Sequence, residues 1–143
     1  MRILIALMVA LFPVDDRLVS WDKVTTKTGE VVELTFKGNI EDRWYVYASK
    51  LEVDGPLPTE IKWETNDGFE VIGELQSVKP KKKHDEVWEG TVHYFDNQAV
   101  FTQKVKLLKP NAKVSGSLRY QVCINDPEDG RCVNQEEKFI FQF

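Results

Sequence analysis

Apolar and polar residues alternate along most of this chain, and helical spacing is almost absent. Side chains of a strand point to opposite faces in turn, so sustained alternation marks a half-buried strand. Val32, Leu34 and Phe36 alternate with charged or polar neighbours, and Gly38-Asn39 is expected to end or bend that strand. The run Trp44–Ala48 is aromatic and β-branched, as strands favour. Ile61–Trp63 follows a turn at Gly55–Pro58, and Asn66-Asp67-Gly68 reads as a hairpin turn into Phe69–Ile72. Thr91–Phe95 and Ala99–Val105 flank a second tight turn, Asp96-Asn97-Gln98. Lys113–Val122 puts Val114, Gly116, Leu118, Tyr120 and Val122 on one face, and Glu136–Phe143 does the same with Phe139, Phe141 and Phe143. This spacing predicts about nine short strands in an all-β, immunoglobulin-like antiparallel β-sandwich, a single domain. Val32, Leu34, Phe36, Phe101, Val105, Leu118, Tyr120, Phe139 and Phe141 are expected in one core between the sheets.

The start of the chain breaks the pattern. Arg2 precedes an apolar run, Ile3–Phe12, that is too short to span a bilayer of roughly 30 Å. That is the form of a secretory signal, the bland alternative being a buried first strand or helix. No A-x-A motif follows, and Ser20 is the best small residue for cleavage. Residues 1–20 are therefore expected to be a signal segment and 21–143 an exported domain.

Charge and composition exclude more than they assign. A net charge of −4 over 143 residues argues against nucleic acid as a partner. Lys79–Lys83 reads as a solvated loop, with docking on an acidic surface the lesser reading. Asn125–Gly130 has some look of a calcium loop, but Pro127 stands where a side-chain oxygen is needed. His84 and His93 have no partner at ligand spacing, so neither a metal nor any other cofactor is expected.

The two cysteines, Cys123 and Cys132, bracket a short polar connection between two expected strands. In an oxidising compartment two cysteines normally pair, whereas in the cytosol they would more often be free or bind metal. Two readings stay open. A rim disulfide can merely tighten a loop, stabilising the fold by about 2–3 kcal/mol. Alternatively its sulfurs, reachable at a sheet edge, can exchange with another thiolate. The C-x8-C spacing is not that of a thioredoxin-like site, and Asp126, Glu128 and Asp129 would raise a thiol pKa.

Five segments, in order, add to this: Trp44–Tyr47, Gly55–Thr59, His84–Gly90, Ala99–Gln103 and Tyr120–Cys123. Together they resemble the N-terminal periplasmic domain of the thiol:disulfide interchange protein DsbD, over roughly Trp21 to Phe143. The resemblance implies an immunoglobulin-like sandwich whose Cys123–Cys132 pair cycles between dithiol and disulfide in the periplasm. It implies a protein-disulfide reductase role within thiol:disulfide interchange and cytochrome c biogenesis. Electrons would come from a membrane-embedded donor and pass to thioredoxin-like periplasmic proteins, with the domain a monomer. Tyr45 and Tyr47 match the aromatic residues beside the pair, and Asp85 and Glu86 match acidic residues that open a cap loop. Val87 stands where the family cap has an aromatic ring, with Trp88 next to it, so one of these is expected over the disulfide. The cysteine loop is about three residues longer than is usual in the family, and Val133-Asn134-Gln135 replaces its prolines. A longer loop relaxes the ring and lowers the reduction potential, so a non-catalytic, exported binding module with a structural disulfide remains the alternative.

Overall fold

The structure, a computed structural model, describes residues 17–143. The expected signal run Ile3–Phe12 lies outside the described residues. Ten strands and no helix make up the described chain: β1 Val19–Thr28, β2 Val31–Ile40, β3 Trp44–Tyr47, β4 Glu60–Glu64, β5 Phe69–Ser77, β6 Lys81–Asp85, β7 Gly90–Asp96, β8 Gln98–Leu107, β9 Lys113–Ile124 and β10 Cys132–Gln142. They form two antiparallel sheets. One has the order β1-β2-β8-β5; the other runs β10-β9-β3-β7-β6, with β4 also paired to β9. The inner faces meet in one core that contains every expected core residue, Phe141 only partly buried at its margin. Alternation drives this: Val32, Leu34 and Phe36 are wholly buried, and so are Phe101 and Val105 opposite them. The result is the immunoglobulin-like sandwich expected from the strand pattern.

Three local expectations change. Gly38 does not end its strand; β2 runs on to Ile40. A Cβ there would lie 2.8 Å from the ring of Trp21, its partner across β1, so glycine serves a close approach of side chain to backbone. Strand β1 itself shows no strong alternation because it is an edge strand with mostly exposed side chains after Trp21. Asn66–Gly68 does not close a hairpin. Asn66 Oδ1 accepts the Gly68 N–H at 2.7 Å, but β4 pairs with β9 and β5 with β8, so the turn carries the chain between sheets. Turn residues reveal that the chain turns, not which strand it next meets. Finally, Lys79–Lys83, expected as a loop, runs from Lys81 into the edge strand β6, which pairs with β7. Lysines are suited to an open sheet edge, where they discourage further pairing.

Candidate functional site

Cys123, near the end of β9, and Cys132, the first residue of β10, face each other across the strand pair and are joined by a disulfide. Their Cα atoms are 4.0 Å apart, close to the short spacing, about 4.5 Å, of a non-hydrogen-bonded antiparallel pair. One step further on, the Ile124 N–H donates to Arg131 O at 2.9 Å, so the ladder continues past the bridge. Val122, adjacent in β9, points into the core; by alternation the sulfurs lie on the outer face of this sheet. The two are not equivalent. Cys123 is 1% exposed, whereas Cys132 is exposed.

The apolar packing on this outer face comes in part from the way β9 is paired. Trp44–Val46 of β3 and Glu60–Glu64 of β4 both pair with β9, at different stretches of its length. The chain between them must leave the sheet. Its base is pinched where the Thr59 N–H donates to Ala48 O at 3.0 Å and the Thr59 hydroxyl to Tyr47 O at 2.6 Å. Leu51 and Val53 of this connection fold back on the outer face and, with Tyr45, pack against the cluster formed by Tyr47, Val92 and Cys123, Val53 lying over Gly90 at its far end. Tyr45 is the register partner of Cys123, and the Tyr45 and Tyr47 rings meet edge to face, 5.5 Å between centroids. Tyr94 extends the aromatic surface 5.9 Å from Tyr45, and Lys83 Nζ lies 4.2 Å from the Tyr45 centroid and 4.8 Å from that of Tyr94. A cation over aromatic faces is attracted by the ring quadrupole.

The hairpin turn that carries Asp85, Glu86, Val87 and Trp88 closes at the Asp85–Gly90 pair, six residues along β7 from Asp96, the backbone partner of Tyr45. The Tyr45 side chain reaches toward that end, its ring beneath Lys83 and its hydroxyl within range of the Asp85 charge. Val87 is 82% exposed. The Trp88 ring packs on Gly55, where a Cβ would be 2.0 Å from it. Gly55 also has φ +125°, a conformation that side chains disfavour. Thus Cys123 sits in an apolar cluster with Tyr47 and Val92, against which Tyr45, Leu51 and Val53 pack, Val53 at the Gly90 end beside the turn that carries Val87 and Trp88. Asp85 Oδ1 accepts the N–H groups of Val87 and Trp88 at 2.9 and 3.2 Å and so shapes the turn; Glu86 is exposed.

The acidic residues of the cysteine loop are matched by arginines. Arg43 accepts the Asn125 N–H on its carbonyl at 2.6 Å, and its guanidinium pairs with Asp126 at 2.8 Å. Asp126 Oδ1 in turn accepts the Glu128 N–H at 2.9 Å, and Arg131 Nε pairs with Asp129 at 3.0 Å. The carboxylates that looked set to oppose a thiolate are therefore partly neutralised. Arg43, Leu51 and Val53 escape a reading of the sequence, since an isolated Leu, Val or Arg in a polar connection has no periodicity to mark it. A cavity of about 860 Å³ opens between the sheets near Trp63 and Gln103 and includes neither cysteine.

Burial, the Tyr47 hydroxyl and the Asp85 charge hold the Tyr45 hydroxyl well above the usual phenol range. Burial likewise raises Tyr120. Both phenols keep their protons in the fold at a pH where those of the unfolded chain, near 10, ionise. The folded state then binds more protons than the unfolded state, so stability is full below about pH 10 and declines above it. Urea midpoints at about pH 8 and pH 11 check this. The midpoint is expected to fall at the higher pH, and by less in Tyr45→Phe; an equal fall in both would remove Tyr45 from the account.

The family model for the N-terminal region of the thiol:disulfide interchange protein DsbD matches residues 15–143. The chain belongs to this family. The family's chemistry is thiol:disulfide interchange, and this chain holds a disulfide-bonded cysteine pair. Among solved structures, the N-terminal periplasmic domain of ScsB from Proteus mirabilis superposes with a TM-score of 0.64 at 16% identity. That match covers 91% of this chain and 48% of the ScsB chain, so this chain spans about half of that one. The reduced DsbD N-terminal domain of Neisseria meningitidis gives a TM-score of 0.56 at 19% identity, covering 86% of this chain and 85% of the other. At these identities the two structures establish the shared sandwich fold. No curated protein sequence matches the chain.

Proposed function

We propose that this domain is a periplasmic thiol:disulfide interchange module that relays electrons through Cys123 and Cys132 to thioredoxin-like partners. The observation that carries it is the asymmetry of the bridge: Cys132 is exposed while Cys123, directly opposite, is 1% exposed. Membership of the DsbD N-terminal family and the signal-like run Ile3–Phe12 support the chemistry and the compartment. In the reduced domain the Cys132 thiolate attacks a partner's disulfide, forming a mixed disulfide and releasing one partner thiolate. Cys123 then attacks the Cys132 sulfur, which restores the internal disulfide and releases the second partner thiolate. Two electrons have passed to the partner. Recharging runs the same exchange in reverse, with a membrane-embedded dithiol as donor.

Tyr45 and Tyr47 form the neutral, apolar flank of the resolving sulfur. In this reading Asp85 and Glu86 do not exchange protons with the sulfurs directly; Asp85 acts through the turn it shapes and through its charge on Tyr45. The test is the reduction potential of the pair, read by equilibration with glutathione buffers. A relay is expected to lie above about −300 mV, where periplasmic thiols can reach it. A value below that would make the bridge structural and the domain a binding module.

A further inference from the structure

The outer face beside the sulfurs is not flat. Two residues down the strands, Gln121 and Asn134 pair across β9 and β10, and two further on Arg119 pairs with Glu136. All four share the face of the bridge, because side chains two apart on a strand point the same way. They floor a groove of about 400 Å³, walled by Leu57 and Pro58 of the same connection that packs on the outer face. The Leu57 N–H donates to Gln121 Oε1 at 3.1 Å, which fixes the wall to the floor. Leu57 is nonetheless 50% exposed.

We infer that this groove seats the extended main chain flanking the reactive cysteine of a polypeptide partner. The inference rests on the interchange reading above and specifies its docking surface. Any protein whose sulfur bonds to Cys132 must lay the residues beside its own cysteine against the surface next to Cys132. The groove begins there. From the bridge to the Arg119–Glu136 pair is four residues, roughly 13 Å, the length of about four extended residues. The floor nearest the sulfurs is uncharged: a carboxamide carries both donors and an acceptor, as each peptide unit does. Leu57 offers an apolar contact for one side chain of the segment, and Arg119, 3.7 Å from Glu136 and paired in register with Glu60, closes the far end with acid and base together. A polypeptide fits such a surface; a small charged thiol has nothing there to select it.

The experiment compares two reductants on the oxidised domain: reduced thioredoxin, which needs the groove, and dithiothreitol, which does not. Asn134→Trp fills the floor, and Leu57→Asp, outside the sheet, gives an independent reading should the first variant not fold. The ratio of the thioredoxin rate to the dithiothreitol rate is expected to fall about tenfold in each, the size of a well-placed interface contact. A ratio unchanged in folded variants, with the wild type reacting with both reductants, overturns the groove and leaves the interchange reading intact. A wild type that dithiothreitol reduces and thioredoxin does not overturns the interchange reading itself, and this inference with it.

Discussion

Replacing Cys123 by serine is expected to turn the domain into a trap for oxidised thioredoxin-like proteins, while Cys132→Ser traps at least about tenfold less. The sulfur left in Cys123→Ser is the exposed one, free to attack a partner's disulfide. With no thiol opposite to resolve it, the mixed disulfide accumulates. In Cys132→Ser the remaining thiol is 1% exposed, in a cluster with Tyr47 and Val92, so a partner sulfur cannot approach it in line. Burial in apolar surroundings also raises a thiol's pKa and lowers its thiolate fraction, which adds to the difference. Both variants lose the ring, worth about 2–3 kcal/mol of stability, so loss of the bridge cannot by itself separate them. The readout is the yield of reducible adduct on a non-reducing gel, with both proteins shown folded. Equal yields would mean that the cluster opens freely. More adduct from Cys132→Ser would reverse the assigned roles, and none from either would leave a structural bridge.

The sequence made the core legible because burial there follows a single rule. Leu34 and Phe36, or Phe101 and Val105, are spaced by the pleat, and the structure buries each on the face that alternation assigns. The cysteine pair was legible for a related reason: two residues at the ends of two readable strands had few places to go but opposite one another. What stayed hidden depends on strand partners. Asn66–Gly68 announces a turn, yet nothing local says that β5 joins β8 in the other sheet. The position of the Asp85–Gly90 turn likewise follows from the register of β6, β7 and β3, which short lysine-rich and aromatic segments do not encode. The path of the connection that packs on the outer face follows from β3 and β4 sharing β9, a fact of three-dimensional pairing that leaves Leu51 and Val53 looking like ordinary loop residues.

Phe101→Ala is expected to cost about 3–5 kcal/mol of folding stability while leaving the reduction potential of the bridge within about 15 mV of the wild type. The ring is completely buried, 5.2 Å from Phe95 and 6.2 Å from Trp21, and its register partner is Phe36. Side chains from both sheets surround it, so the cavity cannot close by moving one strand. The loss is large against a domain stability of roughly 5–15 kcal/mol, and the urea midpoint should fall accordingly. The potential depends on something else: the difference between the folded dithiol and folded disulfide forms. Both contain the same core, and the cysteines sit on the opposite face of the six-stranded sheet, packed by Leu51, Val53 and the tyrosines. The core defect therefore cancels in that difference. Glutathione equilibration of the variant, below its unfolding transition, measures this directly. A shift beyond about 30 mV, equivalent to roughly 1.4 kcal/mol for two electrons, would show that the inner packing reaches through the sheet to set the chemistry of the outer face.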